Sequence, residues 1–110
     1  MIDYIEIKED VFDQIEIFLD NELPIEQGTN KILDDCKQTF ENSYLQKILH
    51  FINIALFQIN NGYTIEKRVE DVIRSGIELI ESNKFNQEFT EEDNKYINED
   101  INIIKEYLNK

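Results

Sequence analysis

Glu9, Asp13, Glu16 and Asp20 recur at i, i+4, i+7 and i+11, a spacing that gathers side chains on one face of an α-helix. No histidine or second acidic group converges on them by spacing, so chelation and proton transfer are not the chemistry they offer. They present a strip of negative potential suited to the electrostatic capture of a cationic surface. Like charges at i,i+4 cost a helix about 0.2–0.5 kcal/mol per pair, so the strip is kept against local stability. A second acidic group, Glu91-Glu92-Asp93, lies between Thr90 and Tyr96. Carboxylates there suit the first turn of a helix, and a tyrosine beside them is a residue type that carries binding energy at desolvated interface centres. The candidate partner-binding set is therefore Glu9, Asp13, Glu16, Asp20, Glu91, Glu92, Asp93 and Tyr96, with Tyr4 and Tyr107 as further interface tyrosines. A charge run of this kind also serves as a plain solvated face, and in the sequence both readings stand.

Other chemistries find little support. Asp34-Asp35-Cys36 places acids side by side, but neighbours on a helix diverge by about 100° and do not ligate one ion together. Glu16, Glu70 and Glu99 are far apart in the chain and nothing in their spacing requires them to meet. His50 sits in the most apolar segment and reads as a core or boundary histidine. Cys36 reads as a small buried hydrophobe. A Cys36–His50 nucleophile pair lacks any flanking signature. With glycine only at 28, 62 and 76, no phosphate-cradling loop can be assembled. No catalytic residue, cofactor or metal is expected, and the chain reads as a non-enzyme.

The 110 residues carry 24 acids against 11 bases, a formal charge of −13, and the excess is concentrated at the two ends. Residues 1–26 hold nine acids and one base, residues 88–110 seven acids and three bases, and the middle is nearly balanced. So acidic a chain cannot supply the phosphate contacts that direct nucleic-acid binding needs. Lys67, Arg68 and Arg74 form a small basic patch most simply matched to Glu70, Asp71 and Glu78. With Cys36 alone, no internal disulfide forms. No basic leader or membrane-length apolar run is seen, so a cytoplasmic protein that avoids the membrane is expected.

The elements that must position these residues follow from periodicity. Three glycines and one proline are too few for the turns of an all-β domain, whereas 41% hydrophobic residues interleaved with charge suit amphipathic helices. The first eight residues alternate briefly, but a lone strand would lack a partner, so helix or irregular structure is expected there. A first helix is expected from Asp10 to Asn21 on Val11, Phe12, Ile15, Phe18 and Leu19. Pro24 suits the first turn of a second carrying Ile25, Ile32, Leu33, Cys36 and Phe40; Gly28 and Thr29 weaken its first half, which leaves a start near Asn30 open. Asn42 or Ser43 caps a third, apolar almost all round and hence central, which Asn60-Asn61-Gly62 ends. Thr64 caps a fourth running to Ile80. Thr90 caps a fifth with Ile97, Ile101, Ile104 and Leu108 on its stripe. The polar connection from Asn83 to Phe89 is held to the core by Phe85 and Phe89. The expected fold is all-α: a single domain over residues 1–110, a compact antiparallel bundle of four to five helices.

Ile17-Phe18-Leu19, the polar break Asp20-Asn21-Glu22 and the helix-opening Leu23-Pro24-Ile25 resemble the colicin D-type immunity proteins, within the bacterial immunity proteins that neutralise colicin-like and contact-dependent growth-inhibition toxins. Size, acidity and helical architecture resemble them too. What the resemblance implies is a protein that occupies the active site of a cognate basic nuclease, often a tRNase, with acidic side chains standing in for RNA phosphates. The acids of the first helix would carry that role, supported by Glu91 to Asp93. The same physics fits a phage inhibitor of a host nuclease, while a helical adaptor or regulatory subunit would use its acidity only for solubility and bind through an apolar groove.

Overall fold

Eleven of the seventeen residues of the helix Tyr44–Asn60 are buried, the outcome expected of a segment apolar around most of its circumference. In the computed structural model, which describes residues 2–82 and 85–109, this helix is α4 and most of the others pack around it. In chain order they are α1 (Tyr4–Asp20), α2 (Ile25–Asp35), α3 (Lys37–Asn42), α4, α5 (Lys67–Glu81) and α6 (Glu91–Leu108), with a 3₁₀ turn at Asn86–Glu88. The described residues contain no strand. α4 packs against α1, α3, α5 and α6, and α1 also packs on α2. The close approach of α5 to α4 depends on Gly76, where a Cβ would come within 2.7 Å of the Ile48 side chain.

The first helix starts six residues earlier than its periodicity suggested. Asp3 caps it, accepting the Glu6 N–H at 3.1 Å, and Tyr4 and Ile7 extend the buried stripe of Val11 and Ile15 back to the start. Its other end closes in a Schellman arrangement: the Leu23 N–H donates to the Phe18 carbonyl at 3.0 Å and the Glu22 N–H to Leu19 at 2.9 Å. The residue that must turn left-handed there is Glu22, with φ at 60°. α4 ends the same way, but with Gly62 at that position, φ 78°. A side chain costs about 1–2 kcal/mol in this conformation. Glu22→Gly is therefore expected to raise stability by about 0.5–1 kcal/mol, after the greater chain entropy of glycine is subtracted; a higher urea midpoint at unchanged slope checks it.

Two further boundaries are corrected. The expected second helix is two, broken at Cys36, whose φ of −103° and ψ of 9° leave the helical region. α2 opens directly after Pro24, at Ile25, and Gly28 and Thr29 do not delay it because they face inward: Gly28 lies against Ile15, and the Thr29 hydroxyl donates to Glu66 Oε2 at 2.6 Å. Thr64 does not cap α5, which starts at Lys67 after Glu66. Glu66 is held by Thr29, by the Gln58 amide at 2.7 Å and by Arg68 at 2.9 Å, while its own N–H donates to Gln58 Oε1. These long-range bonds fix the chain in an extended path up to residue 66. Ser43 and Thr90 cap as expected, accepting from the Gln46 and Asp93 N–H groups. Phe89 is buried and Phe85 packs on the core, while Asn83 and Lys84 of the same connection lie outside the described residues.

Candidate partner-binding face

The exposed face of α1 is built by its buried one. Tyr4, Ile7, Val11 and Ile15 fix the helix against α2 and α4, so residues on the opposite side are turned to solvent. At 100° per residue, Glu6, Glu9, Asp10, Asp13, Glu16 and Asp20 fall within an arc of about 120°, and all six are exposed. The sequence reading named four of them. Ile17 lies in the same arc between Asp13 and Asp20 and is 59% exposed, the most open of the large hydrophobic side chains on the described surface. The face is thus an apolar knob flanked by carboxylates, with Gln14 and Asn21 on its other side.

Because α1 starts at Tyr4, it contains one cation, Lys8. That lysine does not neutralise the strip. It points inward, with Nζ 2.6 Å from Asp100 Oδ2 on α6. The Tyr4 hydroxyl donates to the same oxygen at 2.6 Å. Tyr4 is fully buried, which corrects its assignment as an interface tyrosine, and burial followed by the Asp100 charge raises its pKa far above the ordinary value. Asp100 itself is 7% exposed.

The second acidic group divides. Glu91 and Glu92 are exposed in the first turn of α6. Asp93 is half-buried and accepts the Tyr4 N–H at 3.2 Å, so it serves the start of α1 as a second cap rather than an outward-facing acid. That bond sets the first turns of the two helices side by side. The half-buried Tyr96 hydroxyl donates to Glu92 Oε1 at 3.2 Å, and this carboxylate raises its pKa. Tyr107 is half-buried as well.

No family model, curated protein or solved structure matches this chain. No helix among the described residues is long and apolar enough to cross a membrane.

The remaining chemistry-bearing side chains are placed as follows. Glu16, Glu70 and Glu99 stay on three separate helices, Glu70 paired with Arg74 at 3.2 Å. Lys67 pairs with Asp71 at 2.6 Å, whereas Arg68 turns to Glu66 and to Asn30 Oδ1 instead of along α5, and Glu78 pairs with neither arginine. Among the described residues no group of three or more His, Cys, Asp or Glu could hold a metal ion.

Cys36 and His50 do come together, lining a small cavity of about 80 Å³ with Asp10 and Gln14. Their acidities oppose nucleophilic chemistry. Burial, then the charges of Asp35 and Asp10, raise the Cys36 pKa and keep the thiol protonated. Burial holds the His50 pKa below its ordinary value, against the opposing effects of the Gln46 carbonyl and Asp10. His50 Nδ1–H donates to that carbonyl at 2.7 Å, leaving Nε2 as the acceptor of a neutral ring. A histidine kept neutral in the native state has a pH signature. Between the ordinary pKa of 6.5 and the lower native one, the unfolded chain takes up the proton and the native chain does not. Stability is expected to fall as pH drops through that window, and the slope there to flatten in His50→Gln, whatever that substitution costs overall. Urea midpoints from about pH 7 to pH 5 check it.

Proposed function

We propose that this chain neutralises a cognate basic nuclease, as a bacterial immunity or antitoxin-like protein acting in the cytoplasm, and that the exposed face of α1 is what docks. One observation carries the reading: six carboxylates share an arc of one helix with an exposed isoleucine, while the only cation of that helix is turned inward. Carboxylates steer and orient a cationic partner, and an apolar anchor inside a polar ring is the anatomy of an interface centre. The arc mimics a run of nucleic-acid phosphates, the ligand a nuclease cleft is built to accept. Glu91 and Glu92, and Tyr96 beside them, extend the charged surface at the start of α6. We take the helices joined by the short connections at 21–24 and 61–66 as antiparallel neighbours in a bundle.

The test is capture of a partner from the native cell extract on the immobilised protein, eluted with a salt gradient. The expected result is a basic nuclease released at a few hundred millimolar salt, whose activity the protein abolishes. Release only of a neutral, salt-resistant partner would replace this reading with that of an adaptor. A nuclease of the host rather than a neighbouring toxin would make the protein a phage-type inhibitor using the same face. Ile17→Ala is expected to weaken capture about tenfold or more with little change in stability, since the side chain already faces solvent; titration calorimetry and a urea curve measure the two.

A further inference from the structure

A recess with an apolar and basic lining lies away from the acidic strip. Leu33 of α2, Phe40 of α3, Phe51 of α4 and Val72 of α5 form the floor of an open cleft of about 470 Å³. That volume lies within the range of small-molecule sites. Phe40 and Phe51 meet edge to face with centroids 6.1 Å apart, which gives the floor two differently tilted aromatic surfaces. Lys37 and Lys47 stand on the lip. Arg68 also lines it, fixed there by Glu66 and Asn30, and Glu41 is the acid on the same lip. The lining residues therefore carry a net positive charge in a chain whose total is −13.

Among the described residues, neither lysine is engaged by a carboxylate. Lys37 and Glu41 stand at i,i+4 on α3, the spacing that closes Lys31–Asp35 at 2.8 Å and Lys67–Asp71 at 2.6 Å. Yet Lys37 makes no ion pair among the described residues, and neither does Lys47. Lys47 instead lies over the Phe51 ring, 5.8 Å from its centroid. Two cations without counter-ions beside an aromatic floor complement a ligand with an anionic head and an apolar body.

We propose that this cleft binds a small amphipathic anion: an aromatic body that sits on Phe40 and Phe51, bearing one carboxylate-, sulfonate- or phosphate-type head held between Lys37 and Lys47. The occupant is a free small molecule, because the recess is bounded by four helices within a volume that a ligand of that size fills. Neither lysine lies on α1, so the site stands or falls independently of the docking face.

A matched pair of probes tests it on the full chain. Anilinonaphthalene sulfonate and phenylnaphthylamine share the same aromatic body, with and without the anionic head. The sulfonate is expected to bind saturably, about tenfold or more tighter than the neutral dye, and to shift the amide resonances of residues 33–51 and 68–72. Lys37→Glu with Lys47→Glu is expected to erase that preference while circular dichroism and urea midpoint stay unchanged. Equal affinity for the two dyes, shifts centred elsewhere, or sulfonate binding that survives the double substitution would each overturn the proposal. Displacement of the bound dye by the protein partner captured on α1 would overturn it too, making the cleft part of a protein interface. Should the double variant unfold, Lys37→Gln with Lys47→Gln, which removes the charges without reversing them, must show the same loss of preference.

Discussion

Reversing Asp13, Glu16 and Asp20 to lysine together is expected to weaken binding of the nuclease partner at least about a hundredfold at low salt, with stability unchanged or slightly higher. Each reversal adds two charges, so the total moves from −13 to −7, and the centre of the strip changes sign. Association steered by charge loses its long-range component first, and on-rates fall toward the roughly 10⁵–10⁶ M⁻¹s⁻¹ of unsteered docking. Local energetics run the other way. α1 has no base in its last turn, where the helix dipole favours one, and Asp20 sits there instead. Lysine at 13 stands i,i+4 from Glu9, turning a repulsion into an attraction, and lysine at 20 favours the dipole. These gains outweigh the repulsion between lysines at 16 and 20, for a net of about 0.5–1 kcal/mol. A face that grows more stable as it loses its partner is one held acidic for binding. Calorimetric titrations at low and moderate salt, with a urea curve for each protein, measure both arms. Affinity within about threefold of the unaltered protein at both salts would remove α1 from the interface.

Most of what periodicity and local hydrogen bonding govern was legible in the sequence. The central position of α4 follows from its apolar circumference. The caps at Ser43 and Thr90 follow from a side chain reaching an N–H three residues on, a bond that needs nothing from the rest of the chain. Where the fold departs from expectation, partners distant in sequence decide. Thr64 fails to cap because Glu66 is claimed by Thr29, 37 residues away, and by Gln58. Periodicity starts α1 too late although Asp3 and Glu6 stand at the capping spacing, because the brief alternation of the first eight residues fits a strand as well as a helix.

The docking face was legible in part for the same reason. Spacing alone puts Glu9, Asp13, Glu16 and Asp20 together. It does not say how far the buried stripe of α1 extends around the helix, and hence that Ile17 falls outside it. Asp93 and Tyr4 are not outward-facing because their partners are distant in sequence: Asp93 accepts the Tyr4 N–H across 89 residues, and the Tyr4 hydroxyl donates to Asp100 across 96. The sequence does carry one signal of the buried ion pair. Lys8 falls among Tyr4, Ile7 and Val11, and Asp100 among Ile97, Ile101 and Ile104, so each is a charge set on an apolar stripe. Opposite charges in such positions on two helices have few ways to be satisfied other than by meeting.

That meeting gives the largest expected effect on stability. Asp100→Ala is expected to cost about 3 kcal/mol, at the lower end of what breaking a buried ion pair costs, because Lys8 keeps some access to water. The substitution leaves the Tyr4 hydroxyl buried without its acceptor and the Lys8 ammonium without its counter-ion. At the entropy of unfolding usual for a chain of this length, the loss corresponds to a fall in Tm of about 10–15 °C. What Asp100 contributes is compensation of its neighbours rather than net attraction, and this separates the prediction from a plain loss of packing. Tyr4→Phe, Lys8→Met and Asp100→Leu in one chain remove the three polar groups joined at Asp100 Oδ2 and roughly keep their volume. This triple variant is expected to recover most of the stability lost in Asp100→Ala. Failure to recover would mean that the cluster is intrinsically stabilising, and that Asp100 joins the start of α1 to α6 by a net favourable bond. In either case Lys8 is held inside, and the strip on the far side of α1 is left without a cation of its own helix to neutralise it.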